Sequence, residues 1–153
     1  GTGATKTWST KTAPLIFRDA GNMLKAVVQT TNGVERPDTF LLPLSVYIDI
    51  GNRLVDPANG SNKTILAALQ ENMAKMGVTT IEGLPELETA GTGSTTRCVM
   101  YKRDPRKVQQ HLPVVYEQVP PQADGLEIKV IGHTRFAGTT FYYPLSAAYG
   151  DGI

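Results

Sequence analysis

The texture of this chain changes once, near Val78, and that change constrains the fold more than any other feature. Before it, apolar residues recur at helical spacing. Ile16, Ala20, Met23, Leu24, Val27 and Val28 make one stripe between Thr12 and Thr31, the pattern of an amphipathic helix. Thr12 is placed to cap that helix, Pro14 falls in its first turn, and Asn32-Gly33 closes it. After Val78 the chain breaks into short β-rich runs: VTTIEG, RCVMYK, LPVVYEQV, LEIKVIG and TRFAGTTFYYP. Helices first and mostly strands later predict an α+β fold.

The helical half has internal punctuation. PDTFLLP reads as a short strand pinned between Pro37 and Pro43, and Pro43 can open a second helix with Val46, Tyr47, Ile50 and Leu54 on its apolar face. DPANGSN is a loop by composition. A third helix is expected from Thr64 to Met76, with Ile65, Leu66, Leu69 and Met73 aligned and Gly77 at its end. A chain of 153 residues is most simply one domain, able to bury roughly 70% of its unfolded surface without staples.

Charge and cysteine usage exclude several classes. Fifteen basic and fourteen acidic residues leave a net charge of +1, which gives no global attraction to DNA or anionic lipid. Cys98 is the only cysteine, so an intrachain disulfide and a C-x-x-C metal site are excluded. Within RCVMYK it reads as a small buried hydrophobe. No segment approaches the ~18 continuous apolar residues of a membrane span. The opening GTGATKTWSTKT has no signal pattern and no initiator Met; residues 1–11 are expected to be a disordered or cut N-terminal end.

The stretch ETAGTGSTTRCVMYKRDPRKV, residues 88–108, holds most of what could be chemistry. AGTGSTTR lacks the G-x-x-x-x-G-K-[ST] spacing of a phosphate-binding loop and precedes a strand, so no helix N-terminus offers free amides to an anion. It reads as a turn. In NGSNKT, Lys63-Thr64 does precede a helix, but the loop glycines are missing, and Ser61 or Asn62 is the expected cap. The basic cluster Lys102, Arg103, Arg106 and Lys107 lacks the interleaved aromatics of a nucleic-acid surface. Asp104-Pro105 is expected to cap and start a short helix there, with the charges in solvent or at a rim between subunits. His111 and His133 lack a cysteine partner for a structural zinc site, no G-x-S-x-G elbow exists, and Glu82, Glu86 and Glu88 read as solvated carboxylates in a loop. No catalytic constellation emerges, and no cofactor or metal is expected. The pattern points to a scaffold or interaction protein.

From TTRCVMYKRDPRKV through GLEIKVIGHTRFAGTTFYYPLSAAYGDGI, the order of features resembles the end of tailed-bacteriophage major capsid proteins of the Hong Kong 97-type fold. A strand runs into a basic turn, Pro-rich breaks follow, two long strands come next, and the chain closes on Pro, small residues, an aromatic and Gly-Asp. RPDTFLLPLSVYIDIGNRL and IEGLPELETAG are similar to the strand-then-helix segment and the following loop of such proteins. The likeness spans most of residues 12–153.

The resemblance implies a central mixed sheet flanked by helices, the axial domain, over residues 12–153, with strands at 126–144 returning to a peripheral domain. It implies a structural, self-assembling coat subunit of a phage or prophage head and not an enzyme, present here as a C-terminal portion. Such a subunit sits in the virion after assembly in the bacterial cytoplasm. Its partners are copies of itself in pentamers and hexamers and a scaffold protein, with packaged DNA met only indirectly and no membrane. The family's Lys–Asn cross-link has no counterpart that can be matched here. Lys102, Arg103, Arg106, Lys107 and Tyr149 are the expected subunit-contact residues. The aromatics Phe136, Phe141, Tyr142, Tyr143 and Tyr149 suit either a packed sheet or an interface. An encapsulin-like compartment shell and a small nucleic-acid-binding module built on residues 102–107 are the alternatives.

Overall fold

The computed structural model describes residues 7–153, which divide into two compact units. The first comprises residues 7–103 and Pro144–Ile153; the second is Asp104–Tyr143. The Gly1–Lys6 part of the segment expected to be disordered or cut lies outside the described residues. Its remainder departs from that expectation. Trp8 is 1% exposed and meets Phe40 edge-on, ring centroids 6.2 Å apart. The indole is apolar bulk that water would otherwise have to solvate, so it fixes the turn around it.

Helix α1 (Ala13–Thr30) buries Ala13, Ile16, Ala20, Leu24 and Val27, the stripe that the sequence pattern marks. Thr12 occupies the cap position with extended backbone, but its side chain makes no capping bond. Strand β1 (Thr39–Pro43) leads directly into helix α2 (Leu44–Asn52), and helix α3 (Ile65–Lys75) follows a loop. The cap of α3 is Thr64, whose Oγ1 accepts the Ala67 N–H at 3.2 Å, and not Ser61 or Asn62. Thr64 sits three residues before that amide, within reach of a short side chain. Leu54, expected on the α2 face, lies beyond the helix in a bridge to Thr64.

Strands β2 (Thr80–Leu84), β3 (Arg97–Tyr101) and β10 (Ala147–Asp151) complete a four-stranded sheet in the order β10-β3-β1-β2. The β1–β2 pair is parallel, with α2 and α3 as its crossover, while β3 pairs antiparallel with both β1 and β10. The sheet is therefore mixed. Phe40, Leu42, Ile81, Cys98 and Met100 alternate onto one face and form the core with Ile16, Ala20, Leu24, Ile50, Ile65, Leu69 and Met73. Gly83 allows the close helix contact: a Cβ there would lie 2.9 Å from Tyr47 Cβ and Cγ. Leu41, Val99 and Tyr101 alternate onto the other face and are only half-buried, and Tyr149 beside them is exposed.

The second unit is a single antiparallel ribbon. Strands β4 (Val108–His111), β5 (Val114–Gln118) and β6 (Gln122–Asp124) pair in nested order with β9 (Gly138–Phe141), β8 (Gly132–Arg135) and β7 (Glu127–Lys129). The chain reverses at Gly125-Leu126, between the paired Asp124 and Glu127, and the φ of +67° at Gly125 suits the first position of that turn. A register shift between Val114 and Glu117 interrupts the ladder. None of residues 104–143 is buried.

Candidate subunit-contact residues

The four basic residues straddle the boundary between the units. Lys102 and Arg103 end the first and Arg106 and Lys107 begin the second. The short helix expected at Asp104-Pro105 does not form. Asp104 Oδ1 accepts the Arg106 N–H at 2.9 Å, and its carbonyl accepts the N–H groups of Lys107 and Val108 at 2.8 and 3.0 Å. One capped turn results, and the chain then enters β4, because Val108 and the residues after it find ladder partners in β9. Arg103 is held through its backbone, its N–H donating to Asp38 Oδ1 at 2.8 Å. That leaves its exposed guanidinium to solvent.

Tyr149, the fifth candidate, stands on the edge strand β10 and is 68% exposed. It does not stand alone. The Arg97 guanidinium lies 4.5 Å from the centre of its ring, a cation–π contact that fixes both side chains. Arg97 also grips Asp151 with two hydrogen bonds, Nε to Oδ1 at 2.6 Å and Nη2 to Oδ2 at 2.9 Å. Asp151 Oδ2 accepts in addition the Thr92 N–H at 3.1 Å and its hydroxyl at 3.0 Å. The Arg97 hydrogen bonds first, then the Thr92 amide, hold the Asp151 carboxyl well below the usual carboxylate range. The hydrogen bonds to Asp151 raise the pKa of Arg97.

This cluster pins the AGTGSTTR turn, in which the Gly91 N–H donates to the Thr95 carbonyl at 2.7 Å and Gly93 and Ser94 have φ of +71° and +58°. Sequence reasoning picked out Tyr149 but missed Arg97, Thr92 and Asp151. The available signal was the alternation of Arg97 and Val99 in β3, which places Arg97 on the face opposite Cys98.

Glu88 is a further residue whose role the sequence hid. Its carboxylate accepts the Ser45 N–H at 2.6 Å and the Ser45 hydroxyl at 2.8 Å, so it caps the N-terminus of α2 from 43 residues away. Glu82 and Glu86 are exposed. Cys98 is buried, and desolvation pushes its thiol up to about 12. A buried thiol held in its protonated form is a packing residue and a poor nucleophile. Both histidines are on the ribbon, His133 Nε2 being 3.4 Å from Glu117 Oε2. No three His, Cys, Asp or Glu side chains among the described residues come together as a metal-ligand group. Among them, too, no helix is long and apolar enough to cross a membrane.

A family model described as major capsid protein matches residues 1–153. The chain belongs to the major capsid protein family. Coat protein is thus the class to which its sheet and ribbon belong. Seven chains of solved structures also match significantly. One belongs to a structure titled "The capsid of Myoviridae Phage XM1", at 20% identity and a TM-score of 0.82, covering 99% of this chain. That likeness establishes the fold, α+β with a central mixed sheet, as the sequence resemblance implied. The chain spans 50% of the length of that phage protein. No curated protein matches significantly.

Proposed function

We propose that the chain is the axial-domain portion of a phage or prophage coat subunit, a structural protein with no catalytic role, whose copies build the shell of the virion. In this reading the sheet unit is the axial domain. The ribbon Asp104–Tyr143, including the strands within residues 126–144, returns to a peripheral domain. Copies gather as pentamers and hexamers, with a scaffold protein as a further partner. Lys102, Arg103, Arg106, Lys107 and Tyr149 make polar contacts between neighbours.

One observation carries the reading beyond family membership: the ribbon has no buried residue yet exposes Val115, Tyr116, Leu126, Ile128 and Phe136. A two-stranded ribbon is marginal alone in water, and an exposed apolar surface of this extent marks an interaction surface. A shell subunit needs such surfaces, because it is held by many modest contacts and not by one deep pocket. The near-neutral charge lets like copies approach.

Negative-stain electron microscopy of the intact coat polypeptide, expressed alone and with its scaffold protein, tests the proposal. Uniform hollow shells are expected. Only small soluble particles in both preparations would overturn it. Charge reversal of Arg103 and Arg106 should leave folding intact but impair the shells, and normal shells from that variant would remove the contact assignment.

A further inference from the structure

We infer that copies of this chain meet head to tail through opposite charges at two places on the four-stranded sheet, Glu82 and Glu86 on and beyond edge strand β2 of one copy facing Lys102 and Arg103 beyond the end of β3 of the next. The inference rests on the coat-subunit reading and names what part of the basic cluster would touch. The two places follow from topology. Glu82 lies on β2, one edge of the sheet, and Glu86 lies just past its C-terminal end. Lys102 and Arg103 follow β3, which runs antiparallel to β1 and therefore ends where β1 begins. The register pairs Thr39 with Tyr101 at one end of β1 and Pro43 with Leu84 at the other. Glu86 and the Lys102-Arg103 pair therefore lie past opposite ends of the sheet.

Within one copy they do not pair. The four residue steps from Thr39 to Pro43, at ~3.3 Å each, put roughly 13 Å of sheet between Glu86 and the basic pair, beyond the ~8 Å Debye length at physiological salt, while Glu82 stands in register with Leu41, midway between. Nor are they satisfied locally. Glu82, Glu86 and Arg103 are exposed and Lys102 half-exposed, and none of the four has an ion pair among the described residues. Several other charges near these places are engaged otherwise. Glu88 caps α2 through Ser45, Arg97 is paired with Asp151, and Asp38 accepts the Arg103 N–H and the Thr39 hydroxyl. Asp104 accepts the Arg106 N–H.

A second copy is the occupant that this distribution fits, because one sheet unit carries both halves of a complementary pair while the whole chain is nearly neutral. Two different places meeting give a heterologous contact, which closes into a ring when the rotation allows. Complementary charge of this kind sets register and rejects the wrong pairing.

The test is a charge swap in the intact coat polypeptide, with association read by sedimentation velocity and native mass spectrometry at low and high salt. Glu82→Lys/Glu86→Lys places like charges at the contact, as does Lys102→Glu/Arg103→Glu. Each pair should weaken association about 10-fold or more at low salt, with far-UV circular dichroism unchanged. Combining all four substitutions, or mixing the two double variants, should restore association to within about 3-fold. Double variants that associate like the wild type, or a failure of both the fourfold variant and the mixture to recover, would overturn the contact. Normal shells from those variants would do so while leaving the coat reading intact. A wild-type polypeptide that never associates would remove both.

Discussion

The sheet unit and the ribbon are built from the same chain on opposite terms. In the sheet unit, sixteen buried residues from α1, β1, α2, α3, β2, β3 and the segments beside them share one core, so each strand is supported by helices as well as by its ladder. In the ribbon, no residue is buried and the ladder itself is broken by a register shift. Hydrogen bonds in water contribute little net stability each, and burial supplies most of the rest. The comparison teaches that the first unit is self-supporting, while the second buries nothing of its own and would be marginal alone.

The largest expected break in that contrast is Trp8→Ala. Removing a ring that is 1% exposed should cost about 3–5 kcal/mol in urea unfolding. Trp8→Phe should cost clearly less, because the buried Trp8 Nε1 has no acceptor and its loss removes an unsatisfied donor. Next is Gly83→Ala, whose new methyl would press on Tyr47 and should cost about 1–3 kcal/mol by the same measurement. Glu88→Ala should cost about 1 kcal/mol through the lost α2 cap.

Asp151→Asn sharpens the contrast by pH. The folded-state pKa of Asp151 is depressed, so its contribution is full above the ordinary carboxylate range and fades as pH falls through and below it. The wild type should lose stability on acidification through that window. The variant should start lower and show a shallower acid limb in thermal melts followed from pH 7 downward. The smallest effect is expected from Tyr116→Ala on the ribbon, within about 0.5 kcal/mol in the unassembled chain, although the same change should impair assembly.

How much of this could be read from sequence follows the same division. Helix α1 was legible because its stripe is long and its ends carry Pro14 and Asn32-Gly33. The strand runs LPVVYEQV and LEIKVIG were legible, whereas the turn at Gly125 between them was not singled out. Strand β10 was not legible: Ala-Ala-Tyr-Gly-Asp has weak strand propensity, and it is a strand because β3 offers it a complete register. The capping by Glu88 and the grip of Arg97 on Asp151 join residues 43 and 54 positions apart. No local pattern encodes such pairs. The turn at Asp104 shows the converse failure, since a good local helix start was overridden by the pairing of β4 with β9.

Amide hydrogen exchange of the coat polypeptide, before and after assembly, tests the central claim most directly. Slow exchange in β1, β3 and α1 in the free form, with fast exchange across residues 108–141 that becomes slow only in the shell, is the predicted result. A ribbon already as protected as β1 in the unassembled protein, and unchanged on assembly, would contradict it.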